Sequence, residues 1–248
     1  MFILGLVFVL LLGLTFGSFA NVLIWRLPRK VAITGRSICP KCKKQIKWFD
    51  NIPLLSFILL KGRCRNCRKK VSLRYPLVEV STALVFLSIY LTTTFNLFFL
   101  FYLFIIATIL IAIFVIDLTH GIIPDQLVFG AYGLIFSMLF LTHAPDFFNY
   151  LFCGFTAACF LLLVNLITLG KGMGLGDVKF ALVGGLFFGW PLTPIWLFTA
   201  FLTGAIVGII LILLGKARFG KQIAFGPFLV VAFYLVIIWG NFLLKLYI

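Results

Sequence analysis

The sequence predicts an all-α polytopic membrane protein of about eight transmembrane helices, with a cytoplasmic four-cysteine loop between the first and the second. Three observations carry this. Hydrophobic residues make up 63% of the 248-residue chain and charged residues 11%, with a mean hydropathy of +1.21. A soluble domain is nearer half apolar and a quarter charged, so the composition excludes both a soluble globular domain and a disordered chain. Apolar segments of spanning length recur along the chain. Fifteen of the 21 basic residues fall between Arg26 and Arg74, in one loop.

The first element, 2–25, is apolar throughout, has no basic residue ahead of it and lacks a small-residue cleavage site. It reads as a retained span rather than a signal peptide. Further spans are predicted over 77–95, 97–116, 126–142, 148–169, 195–214 and 223–244. The segment 178–190, bounded by Asp177 and by Trp190-Pro191, reaches only about 20 Å as a helix, against a hydrocarbon core of about 30 Å. It is either a short eighth span or part of a longer broken one. Charge favours eight spans. With the N-terminus outside, the loops 26–76, 170–178 and 215–222 and the turn 117–125 fall inside and, with Lys179, hold 20 of the 21 basic residues. Seven spans would move Lys216, Arg218 and Lys221 outside. Asp117, Asp125 and Asp177 then share the face of the cysteine loop, while Asp146 lies opposite and solvated. A basic loop beside a span points to cytoplasmic placement and anionic lipid, not to nucleic acid.

The loop reads Cys39-Pro-Lys-Cys42, then 21 residues, then Cys64-Arg-Asn-Cys67. Two C-x2-C pairs at this separation match a tetrahedral zinc site in which each pair supplies two thiolates. The rival is a redox pair, which a reducing cytoplasm disfavours. Four protein ligands leave no open position, so such a zinc is structural. Between the pairs lie Trp48-Phe-Asp-Asn-Ile-Pro53 and an apolar run, 54–60, too short to span, which is expected on the membrane surface or against the helices. Cys153 and Cys159 read as small buried apolar residues.

Ionisable residues at membrane depth mark function by default. Asp117 ends an apolar segment, and Asp177 closes Gly172-Met-Gly174-Leu-Gly176-Asp177. Two carboxylates brought together in a low dielectric share one proton, so one activates water while the other polarises a carbonyl, as in aspartic proteases. The three glycines are expected to let an extended substrate backbone approach Asp177. Lys179 either tunes the pair or snorkels from a helix end. Asp125 either contributes to the site or caps a helix behind Pro124. His120 reads as a turn residue.

At this point the chain resembles the bacterial type IV prepilin peptidases. The resemblance rests on Gly17-Ser-Phe-Ala-Asn21…Arg26-Leu-Pro28, the two cysteine pairs, Tyr75-Pro-Leu-Val-Glu79, Asp117 with Pro124-Asp125, and Gly-x-Gly-Asp177, in that order from about residue 13 to about residue 230. It implies that Asp117 and Asp177 are catalytic, that Asp125 occupies a recurring non-catalytic position, and that Cys39, Cys42, Cys64 and Cys67 form the zinc loop of the bifunctional members. Those members cleave a basic leader after a glycine and then methylate the new N-terminal amine using S-adenosylmethionine. Prepilins or pseudopilins would be the substrates, in the inner membrane. No Rossmann-type glycine fingerprint supports the methyl donor. Residues 48–53 and Glu79 are candidate contributors, although Glu79 could equally be a buried acid paired with Arg74. The implied organisation is a first transmembrane helix, 1–25, a zinc-binding loop, 26–76, and a transmembrane aspartyl peptidase domain, 77–248.

Two other classes compete. In an ion-coupled transporter the aspartates would relay protons, but they sit at span ends and no inverted repeat is evident. In a membrane-tethered zinc module the basic loop would bind nucleic acid.

Overall fold

The computed structural model describes residues 2–93, 96–143, 146–170, 172–215 and 224–247. Lys171, Lys216, Arg218 and Lys221, used in the charge argument above, lie outside the described residues. The fold is all-helical: α1 (Phe2–Arg26), α2 (Leu55–Leu59), α3 (Arg74–Thr92), α4 (Leu97–His120), α5 (Asp125–Leu141), α6 (Phe147–Ile167), α7 (Leu175–Phe188), α8 (Leu192–Leu213) and α9 (Gly226–Tyr247). Among the described residues, α1, α3, α4, α6 and α8 are long and apolar enough to cross a bilayer, and α5 and α9 carry shorter apolar stretches. The 178–190 segment is a separate helix, α7, 14 residues long. It stops because Gly189 takes φ +63, which breaks the helical path, and Pro191 follows.

The chain divides into two compact units, Met1–Ala112 and Ile113–Ile248, with the boundary inside α4. In the first unit α1 packs on α3 through Gly13 and Gly17, a small-xxx-small spacing that brings two backbones together. A Cβ on Gly17 would stand 2.6 Å from the Cα of Glu79. Phe86 and Phe104 stack beside this seam with centroids 4.1 Å apart.

In the second unit α7 is the hub. Its Gly185 abuts the backbone of Cys153 and Gly154 on α6, and its Gly184 receives the ring of Trp196 from α8. Trp196 is fully buried, and its indole N–H donates to the Leu229 carbonyl on α9 at 2.9 Å. A buried indole needs such a partner, and this one ties α8 to α9. Cys153 is buried as expected, whereas Cys159 is exposed on α6.

Candidate functional site

Asp117 lies near the end of α4 and Asp177 in the first turn of α7; they are 5% and 6% exposed. Both line one cavity of about 490 Å³, together with Ile123, Asp125, Gly174 and Phe225. They are close enough for their charges to repel. Each carboxylate has one buried oxygen free, and Asp177 has its other oxygen anchored. Asp177 Oδ2 accepts the Gly174 backbone N–H at 3.0 Å, while its Oδ1 is buried without a partner. The Gly226 backbone amide is directed at Asp117, whose Oδ2 is likewise buried and unpartnered. A buried carboxylate oxygen left without a donor is costly, and natural sites keep it for a water or a substrate.

The glycines ahead of Asp177, Gly172, Gly174 and Gly176, all line this cavity. A Cβ at Gly172 would meet Thr168 at 2.8 Å, one at Gly176 would meet Ile123 at 3.1 Å, and one at Gly174 would stand 3.3 Å from Asp177 Oδ2. Besides bordering the cavity, each glycine thus allows a close approach by another side chain of the chain. The Asn165 side chain fastens the segment by donating to the Met173 carbonyl at 2.5 Å. Gly226 was missed in the sequence. Its only signal was a glycine ahead of Pro227 at the start of the last apolar segment.

Lys179 neither snorkels alone nor contacts Asp177. It donates to Asp125 Oδ1 at 2.7 Å, joining α7 to α5. Asp125 caps nothing through its side chain. His120 is exposed at the end of α4, against Thr119.

The four cysteines come together, with all their sulfur atoms within 4.8 Å of one another. The two knuckles repeat one geometry. Cys39 N–H donates to Lys44 O and Lys43 N–H to Cys39 O; Cys64 N–H donates to Lys69 O and Arg68 N–H to Cys64 O. Lys43 and Arg68 both turn with positive φ, 57° and 54°. A tetrahedral zinc at about 2.3 Å from each sulfur needs sulfurs about 3.8 Å apart, and Cys39 and Cys67 lie at 4.0 Å. The cluster therefore fits one metal ion. Burial works to raise the Cys39 thiol, but the Cys42 and Lys41 amides and the neighbouring thiols outweigh it and bring it to about 7. At Cys67 the Lys69 amide works downward, while burial and the other three thiols push it up to about 11. Cys39 therefore ionises more readily than Cys67, and a bound cation would favour the thiolate at both.

Arg65, inside the second cysteine pair, clamps Asp50 through three N–H···O bonds of 2.7–3.0 Å. Asp50 belongs to a single 3₁₀ turn, Trp48–Asn51. Trp48 itself is 77% exposed. Within 54–60, Leu55, Ile58 and Leu59 face outward, while Ser56, Phe57 and Leu60 turn to a cavity in the first unit. Glu79 does not pair with Arg74: its Oε2 accepts the Leu54 N–H at 2.8 Å, and the Arg74 guanidinium lies over Tyr75.

These features define a multi-span helical membrane protein with a buried aspartate pair in one unit and a four-thiol cluster in the other. Residues 11–93 match the bacterial peptidase A24 N-terminal domain, and residues 104–209 match the type IV leader peptidase family. A relative from Aeromonas salmonicida is 36% identical over 96% of this chain and 92% of its own length. Relatives from Pseudomonas aeruginosa and Legionella pneumophila are 33% and 35% identical, each over 96% of this chain and over 91% and 92% of their own lengths. All three are named prepilin leader peptidase/N-methyltransferase. No solved structure matches. The chain belongs to the type IV leader peptidase family. Neither the family nor the relatives support the ion-coupled transporter reading.

Proposed function

We propose that this protein is an inner-membrane aspartyl endopeptidase that removes the leader of type IV prepilin-like proteins after a glycine and methylates the new N-terminal residue. The observation that carries the peptidase half is the shared cavity of Asp117 and Asp177, in which each carboxylate keeps one oxygen free. With one proton between them, the ionised aspartate takes a proton from the attacking water and the protonated one polarises the scissile carbonyl. The Gly174 N–H holds Asp177 Oδ2 and the Gly226 amide faces Asp117, which orients both carboxylates towards the shared cavity.

The names of the relatives support the methyltransferase half, with S-adenosylmethionine as donor. Cys39, Cys42, Cys64 and Cys67 hold a structural zinc, supported by the matched knuckles. In this reading 26–76 is the cytoplasmic zinc loop and 77–248 the peptidase domain. The loop's basic residues favour the cytoplasmic side, with the N-terminus outside. The test reconstitutes zinc-loaded protein in lipid with a prepilin-like substrate and labelled S-adenosylmethionine. Mass spectrometry is expected to find cleavage after the leader glycine and one or more label-bearing methyl groups on the product. No cleavage of several diverse prepilins overturns the peptidase reading, and cleavage without label overturns the second activity alone.

A further inference from the structure

The first unit contains its own cavity, of about 480 Å³, in the size range that holds cofactors. Neither Asp117 nor Asp177 lines it. Glu79 does, at 8% exposure, and no cation pairs with it among the described residues. Its carboxylate is oriented by the Leu54 N–H and by the Ser18 hydroxyl. To donate that bond Leu54 takes φ +58 and ψ −50, a backbone state that a leucine adopts only at a cost. Asn21 is 3% exposed and lines the same cavity. Its amide nitrogen is fixed on the Tyr75 carbonyl at 3.0 Å, which leaves Oδ1 buried with no donor. Arg74 Nε, on the same wall, is also buried and unpartnered.

A buried carboxylate without a cation and a buried amide oxygen without a donor each cost free energy, unless a ligand supplies both. Beside Glu79 and Asn21 the ligand is expected to present a cationic end and N–H or O–H groups, while the eight Lys and Arg residues of the same lining call for an anionic group elsewhere on it. Arg29 lies over one face of the Trp25 ring at 5.0 Å, a flat ring can stack on the other, and the Arg74 guanidinium suits an anionic group. A sulfonium amino acid joined to a nucleoside offers all of these.

We propose that this cavity binds S-adenosylmethionine, with Glu79 facing its cationic sulfonium end and Asn21 Oδ1 accepting one of its N–H or O–H groups. The proposal rests on the methyltransferase reading above and assigns it a place. The substrate's N-terminal ammonium first gives a proton to water. The neutral amine then attacks the methyl carbon, a C–N bond forms, the C–S bond breaks, and its electron pair stays on sulfur. The products are a methylated ammonium, the neutral thioether S-adenosylhomocysteine and one proton in solvent.

The test uses the full-length zinc-loaded protein in lipid nanodiscs. Binding of S-adenosylmethionine and of S-adenosylhomocysteine is measured for wild type and Glu79→Gln, and ultraviolet cross-linking of labelled S-adenosylmethionine to wild type is mapped by mass spectrometry. Glu79→Gln is expected to weaken the sulfonium ligand about tenfold or more while the neutral thioether changes less than about threefold, because only the former bears the charge that Glu79 meets. The cross-link is expected between residues 18 and 79. Equal loss for both ligands by a folded variant, no loss for either, or a cross-link confined to 113–248 overturns the proposal and leaves methylation itself standing. If Glu79→Gln does not fold, the wild-type cross-link decides. No binding to wild type overturns the methyltransferase reading together with the site.

Discussion

Gly226 directs its backbone amide at the carboxylate of Asp117, and a Cβ on Gly226 would stand 2.5 Å from Asp117 Oδ2. The first residue of α9 thus sets the position of an acid on α4, more than a hundred positions earlier in the chain. Any side chain at 226 would force the Asp117 carboxylate to shift. Gly226→Ala is expected to displace the Asp117 carboxylate and lower prepilin cleavage by about tenfold or more, since small misplacements of a reacting group are costly. Initial cleavage rates for the folded variant check this. An unchanged rate would mean that the close approach is incidental.

Much of this site was legible in the sequence. Asp117 and Asp177 stood out because carboxylates at span ends are rare, and Gly-x-Gly-Asp marked the second of them. Gly226 was not legible, because its importance comes from a close approach between distant segments that no local pattern records. The glycines ahead of Asp177 were legible as a motif, whereas their close approaches to Thr168 and Ile123, which lie outside it, were not. Lys179 had two local readings, and the structure gives it a third through Asp125, which sequence spacing could not pair with it. The α1–α3 seam at Gly13 and Gly17 had a spacing signal that the apolar length of the first span obscured.

The Lys179–Asp125 bridge leaves its partners 44% and 54% exposed. Exposed pairs contribute less than about 1 kcal/mol. Lys179→Met and Asp125→Asn are each expected to change the cleavage rate by less than about threefold and to leave the thermal midpoint nearly unmoved. A large loss of rate at unchanged stability would show instead that the pair tunes the aspartates.

The tight α1–α3 contact predicts that Gly17→Val is destabilising. Its side chain would meet the Glu79 backbone, and overpacking of this kind costs about 1–3 kcal/mol. Thermal unfolding in detergent checks it, with Gly17→Ala expected to be milder. Equal midpoints for wild type and both variants would contradict the packing described.

Metal binding at the four thiols should depend on pH with a defined sign. Thiolate is the ligand form, and metal-free Cys39 sits near 7 while Cys67 is pushed up to about 11. Binding from neutral solution must therefore expel protons, and affinity must fall as pH falls. Between about pH 8 and about pH 6 zinc affinity is expected to drop more than about tenfold. Titration calorimetry in buffers of different ionisation enthalpy reads both the affinity and the protons released. Stripping the metal should also expose the Lys- and Arg-rich loop to trypsin, which gel analysis would follow. An affinity flat across this range would argue against a tetrathiolate centre.

The central claim is that Asp117 and Asp177 act as one unit. Cleavage of a prepilin-like substrate by lipid-reconstituted wild type, Asp117→Asn, Asp177→Asn and the double variant tests it most directly. Each single substitution is expected to lower the rate by about a thousandfold or more, and the double variant no further, because groups acting together are not additive. Cleavage at the wild-type rate by either folded single variant would contradict the claim.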